Sequence, residues 1–176
     1  MATNAAPGRE SNMVTGLFED QASAESVYNS LRSRGYTDDE INVIMSDATR
    51  DKYFRTHPIG TKAAEGTSVG GLVGGTLGAI VGGVAAIGTN LLLPGLGLIV
   101  WGPIAGALAG AGAGGAVGGL VGALIGWGIP EDRAKIYADG IRSGGTVIGV
   151  RPRSPEDAEF LQNEWNQKYH GRDVYR

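Results

Sequence analysis

Residues 13–45 read MVTGLFEDQASAESVYNSLRSRGYTDDEINVIM, and the fold turns on how this stretch is parsed. Met13 to Phe18 (MVTGLF) has the apolar, β-branched and aromatic content of a short strand. A helix follows. Asp20 suits its N-cap, Ala24, Val27, Tyr28 and Leu31 recur at i, i+3, i+4, i+7, Arg32 and Arg34 favour its negative end, and Gly35 supplies a left-handed stop. Tyr36-Thr37-Asp38-Asp39-Glu40 then turns the chain into a second strand, Ile41 to Met45 (INVIM). Strand, helix and strand so closely spaced predict a right-handed βαβ unit with parallel strands.

Working outward, the far end of the chain predicts helix, strand, helix. Pro130 stands at a helix start, Glu131 and Asp132 suit the positive helix end, Ala134, Tyr137, Ala138 and Ile141 form an apolar stripe, and Gly144-Gly145 ends it. Thr146 to Val150 (TVIGV) reads as a third strand, and Ser154-Pro155-Glu156-Asp157 opens a last helix striped by Ala158, Leu161, Trp165 and Tyr169. Each piece is near the ~40 residues below which a core cannot sustain itself. The expectation is therefore one α+β head, a small ferredoxin-like or split βαβ fold (βαβ then αβα) with its helices on one sheet face. The segment between the halves must leave and return on one side, so it should hold an even number of long elements.

That segment is of another material. Residues 66–130 carry no charge, and they hold 22 of the 31 glycines and 35 apolar residues. All 15 basic and 18 acidic residues lie outside it, which is why mean hydropathy averages to an uninformative −0.04. The expected organisation is a polar tail at 1–12, the first half of the head plus linker at 13–65, a glycine-zipper helical hairpin at 66–130, and the second half of the head with the C-terminal helix at 131–176. Within 46–65, Asp47 to Tyr53 lacks a clear apolar stripe, which leaves a linker or a short helix.

The glycines are periodic. Gly66, Gly70, Gly74, Gly78 and Gly82 recur every four residues, and so do Gly102, Gly106, Gly110, Gly114, Gly118, Gly122 and Gly126. Residues four apart share a helix face, and glycine there lets a partner backbone approach closely, the repeated small-xxx-small arrangement. Each glycine costs about 1 kcal/mol relative to alanine in an exposed helix, so such helices must be paired. Successive ladder positions advance by about 40° around a 3.6-residue helix, which favours a right-handed crossing of roughly −40°.

Helices are expected at 68–93 and 104–127, both longer than the roughly 20 residues that span a hydrocarbon core. Pro94, Gly95, Gly97 and Pro103 interrupt them, and Trp101 and Trp127 are placed as interfacial anchors. Nine glycines and seven alanines in the second helix leave it only eight large apolar residues. Membrane insertion and a self-assembled soluble core therefore both remain open. A monomer in water would expose more apolar area than monomers tolerate, so self-association is common to both.

Most other chemistry is excluded. The chain lacks cysteine, which removes disulfides and thiolate chemistry, and its net charge of −3 removes the basic surface of a nonspecific nucleic-acid binder. The glycines lack the every-third spacing of collagen. MATNAAPGRESN has no apolar core of a secretory signal, so a cytoplasmic start is expected. Gly110 to Gly115 satisfies GxGxxG, but no strand precedes it and the ladder continues on both sides. His57 and His170 stand 113 positions apart with no metal-ligand spacing. Glu131-Asp132 and Asp38-Asp39-Glu40 read as helix-start acids rather than catalytic pairs. Between Arg151 and Arg176, Trp165, Tyr169 and Tyr175 mix with Arg153, Lys168, Arg172 and Arg176, but five acids balance the five bases. A partner-helix or subunit contact fits that segment better than nucleic-acid stacking.

The succession VTGLFEDQASAESVYNSLRSRGYTDDEINVIMSD, then a Gly-rich zipper, then GIPEDRAKIYADGIRSGGTVIGVRP resembles the general stress protein 17M-like bacterial family over about residues 13–152. Tyr169-His170-Gly171-Arg172-Asp173-Val174 is similar to tails of such proteins. The resemblance implies a stress-associated, non-catalytic small protein, often membrane-associated, and brings no functional residues. The expected function is a structural protein that self-assembles through its zipper hairpin, in the cytoplasm or on the inner membrane with the head on the cytoplasmic side. No enzyme activity, cofactor, metal or small-molecule substrate is expected; the partners are a homo-oligomer and membrane lipid. The alternative is a soluble oligomeric binding module whose hairpins enclose lipid or another hydrophobic ligand.

Overall fold

A computed structural model of the chain describes residues 13–54, 91–93, 98–103, 105 and 119–176. In chain order these form β1 (Val14–Phe18), α1 (Gln21–Ser33), β2 (Ile41–Ser46), α2 (Asp47–Phe54), β3 (Leu91–Leu93), β4 (Leu98–Trp101), α3 (Gly119–Gly126), α4 (Glu131–Arg142), β5 (Thr146–Val150), α5 (Pro155–Gln167) and β6 (Arg172–Tyr175). The fold is α+β. One six-stranded sheet runs β3-β4-β2-β5-β1-β6, and every pairing in it is antiparallel. β1 and β2 do run parallel, as a βαβ unit requires, but β5 lies between them and bonds to both.

The helices form where local chemistry dictates. Asp20 accepts a 2.8 Å bond from the Ser23 amide at the start of α1, and Ser154 Oγ accepts one from the Asp157 amide at the start of α5. Gly35 in left-handed conformation closes α1: its N–H bonds to Arg32 O, and the Tyr36 N–H reaches back to Leu31 O. Gly128 closes α3 in the same way, with Ile129 reaching Leu124 O. These are paired Schellman bonds, and the residue after each glycine packs in the core with the helix residue to which it bonds.

The sheet is covered on both faces, which corrects the expectation of helices on one. Val14, Phe18, Ile41, Val43, Met45, Ile148 and Val150 point to α1 and α5, whereas Leu17, Ile44, Val100 and Val147 point to α3 and α4. The physical reason is visible in β1, β2 and β5, whose apolar runs bury consecutive residues rather than alternate ones.

The second correction concerns the middle of the chain. Leu91–Leu93 is a strand, not the end of a helix, and with Leu98–Trp101 it forms a hairpin that extends the sheet beyond β2 (Val43↔Trp101, Leu92↔Ile99). Two apolar runs split by Pro94-Gly95-Leu96-Gly97 are a hairpin signal. The hairpin also pairs Val43–Ser46 of β2, an edge that would otherwise lie open to any passing strand. α3 and the residue Ile129 add Leu120, Leu124 and Ile129 to the head's core, so part of the uncharged tract belongs to the head.

Candidate functional site

The ladder glycines that the structure describes are Gly102, Gly122 and Gly126; Gly66, Gly70, Gly74, Gly78, Gly82, Gly106, Gly110, Gly114 and Gly118 lie outside the described residues. Gly102 is not a helix-packing residue. It follows β4 at φ +98, and a Cβ there would lie 2.4 Å from Ile41 O, so it is glycine because β2 passes against it. Gly122 and Gly126 do lie on a helix and share a face. α3 reads GLVGALIG, and it buries Leu120 and Leu124 against the sheet side while exposing Gly122, Ile125 and Gly126. A Cβ added at Gly126 would meet nothing within 4 Å, and Ile125 is 42% exposed. The small-residue face thus points away from the head's own core, as a surface with no charge on it.

Trp101 is a core residue rather than an interfacial anchor, and Trp127 packs half-buried on the sheet. Trp101, 4% exposed, sits in β4 opposite Val43 with its ring 6.0 Å from that of Tyr28. Trp127 lies over β5, where its ring occupies the space beside Gly149 that a Cβ would need, 2.6 Å away. In both cases the surrounding apolar run delivers the indole to the sheet, and glycine opposite Trp127 makes the room.

Asp38, Asp39 and Glu40 precede a strand rather than a helix, and Asp38 and Glu40 stabilise the turn into it. Glu40 accepts from the Thr37 amide at 2.8 Å, and Asp38 accepts from the Tyr28 hydroxyl at 2.6 Å while pairing with Arg32. Burial and the adjoining carboxylate push the Tyr28 phenol up. Glu131 pairs with Lys135 along α4 at 2.8 Å.

A denser cluster joins α1 to α5. Asp157 accepts from the Tyr36 hydroxyl and pairs with Arg34 at 2.7 Å, while Arg153 lies over the Tyr36 ring and Arg34 over Phe160. Burial works against the Asp157 charge, but the bonds from Tyr36, Arg34 and the Arg153 amide outweigh it and hold the carboxyl below its ordinary value. Burial, with the carboxylate beside it, pushes Tyr36 up to about 12. Arg34 and Asp157 satisfy each other within the cluster and Arg153 also pairs with Glu40 at 3.3 Å, so the arrangement clamps two helices.

The C-terminal aromatics serve the core. Trp165 is fully buried edge-on to Phe18 at 5.6 Å, and Tyr175 lies under Arg133. His170 is exposed, whereas His57 and the Gly110–Gly115 motif lie outside the described residues. Among the described residues no three His, Asp or Glu side chains gather as a metal site. A cleft of about 180 Å³ lined by Asp39, Trp101, Gly102 and Pro103 is smaller than the roughly 300–1,000 Å³ of ligand pockets.

Sequence reasoning missed β6. Its four residues, Arg172–Tyr175, carry one buried apolar side chain, Val174, which gives no alternating pattern to detect. Among the described residues no helix is long and apolar enough to cross a membrane. No protein-family model, curated protein or solved structure matches the chain.

Proposed function

We propose that this chain is a non-catalytic protein that self-associates through the glycine face of its uncharged tract, with the α+β head as the platform that presents it. The observation that carries this reading is α3: Leu120 and Leu124 fasten the helix to the sheet, and Gly122, Ile125 and Gly126 face outward. A glycine in an exposed helix costs about 1 kcal/mol relative to alanine. Glycine at two outward positions four apart is best accounted for by a partner backbone at close range.

A self-associating head fits better than a pair of membrane-crossing helices. Because 119–126 is packed on the sheet, residues 104–118 would have to cross alone, and they are fewer than the ~20 a bilayer needs. The strand order β2-β5-β1-β6, with α1 and α5 on one face, supports reading the head as ferredoxin-like, elaborated by the β3–β4 hairpin and by α3 and α4 on the other face. The stress-associated role comes from the resemblance to the general stress protein 17M-like family.

Sedimentation velocity of the full chain beside a Gly122→Leu/Gly126→Leu variant tests the proposal. The wild type should sediment as an oligomer, and the variant, with its groove filled but its circular dichroism retained, as a smaller species. Identical oligomer sizes would remove the glycine face as the cause. Flotation with anionic liposomes in place of self-association would make the partner a bilayer and overturn the proposal.

A further inference from the structure

The edge strand β6 is held by a short link and a few polar contacts. It follows α5 after only Lys168–Gly171, pairs with β1 at Thr15↔Tyr175 and Leu17↔Arg172, and slips register between them. Its one buried apolar side chain, Val174, fills the space beside Gly16 and Gly171. Two non-glycine residues of this segment sit in left-handed backbone, His170 at φ 52 and Asp173 at φ 51, a conformation that L-residues enter at a cost. What retains the strand is polar and specific. Tyr137 donates to Asp173 O at 2.7 Å, Arg133 Nη1 donates to the same oxygen at 3.1 Å, and Arg172 pairs with Glu19 at 2.7 Å. Since the Tyr137 proton goes to Asp173, Thr15 Oγ1, 3.1 Å away, donates to the phenol oxygen.

We infer that β6 is an exchangeable strand, and that the partner it fits is the β1 edge of a second copy of this chain. The β1 edge is complementary to β6 by construction, since every contact above re-forms when the strand comes from a neighbour. Opening the link between α5 and β6 forfeits the Gly171 N–H to Trp165 O bond and releases His170 from its left-handed conformation. A short, strained link to an edge strand is the arrangement that invites such swapping. The exchange uses none of the glycine face, so it stands apart from the function proposed above. A chain with two distinct self-contacts builds extended assemblies where one contact gives closed dimers.

The test uses the cysteine-free background. Full-length Glu19→Cys and Arg172→Cys chains, one carrying a mass tag, are co-incubated at high concentration and treated with a short bismaleimide. Both positions are more than 60% exposed, so neither change disturbs the core. Exchange predicts a mixed cross-linked dimer well above the yield of a Lys135→Cys plus Arg172→Cys control, the same yield in a Gly126→Leu background, and a fall of about fivefold with His170→Gly, which relieves the strain in the closed chain. A mixed yield at the control level overturns the proposal. A yield lost with Gly126→Leu also overturns it, because the contact would then belong to the glycine face.

Discussion

Two helical glycines lie on the same side of the sheet and face opposite worlds. Gly140 of α4 points inward, where a Cβ would meet Leu17 Cδ2 at 2.3 Å, whereas Gly126 of α3 points out into open space. The outer face of α4 carries Glu131, Asp132, Lys135, Asp139 and Arg142, with ion pairs between Lys135 and Glu131 and between Arg142 and Asp139. The outer face of α3 has no charge at all. α4 is finished as a solvent-facing helix, and α3 is not. Glycine inside the fold is explained by the fold; glycine on the outside asks for a partner.

The largest effect is expected on the inner side of α3. Leu124→Ala should cost about 2–5 kcal/mol, the range for truncating a buried leucine, because Leu124 is 1% exposed among Ile129, Ala134 and Ala138. Chemical denaturation would read this, and a loss under about 1 kcal/mol would mean that α3 is not fastened to the sheet. Gly140→Ala should cost about 1–3 kcal/mol by forcing Leu17 aside, although alanine is the better helix former. Gly126→Ala has no such neighbour, and in a dissociated chain it should be neutral or stabilising by up to about 1 kcal/mol. Opposite signs for these two glycines in one denaturation series would sharpen the contrast; equal signs would erase it.

The α1–α5 clamp gives a pH-dependent control away from both helices. The Asp157 carboxyl is held below its ordinary value of 3.8, so its stabilising contribution is complete above that value and is lost as pH falls through the lowered one. Asp157→Asn should therefore cost about 1–3 kcal/mol at neutral pH, and its difference from wild type should shrink in acid. A difference independent of pH would place the effect in packing rather than in charge.

The elements with a full apolar stripe and a cap were legible in the sequence. α1, α4 and α5 have Ala24 to Leu31, Ala134 to Ile141 and Ala158 to Trp165 on their buried faces, and β1, β2 and β5 follow their apolar runs. Parts whose sequence fits two structures were not legible. Leu91-Leu92-Leu93 suits a helix end as well as a strand, and only the open edge of β2 decides between them. Trp101 and Trp127 have the composition of interfacial anchors until β4 buries the first and Gly149 seats the second, half-buried, on the sheet. Of the candidate site, periodicity identified Gly122 and Gly126; which way they face depended on Leu120 and Leu124 finding the sheet.

Self-association is proposed to rest on the glycine face of α3 and not on apolarity alone. Gly126→Leu and Lys135→Leu place the same side chain on the outward faces of neighbouring helices, so sedimentation velocity of the two variants beside wild type separates shape from stickiness. Gly126→Leu should lower the sedimentation coefficient while Lys135→Leu leaves it unchanged. Equal coefficients for the two variants, whether lowered or unchanged, would contradict it.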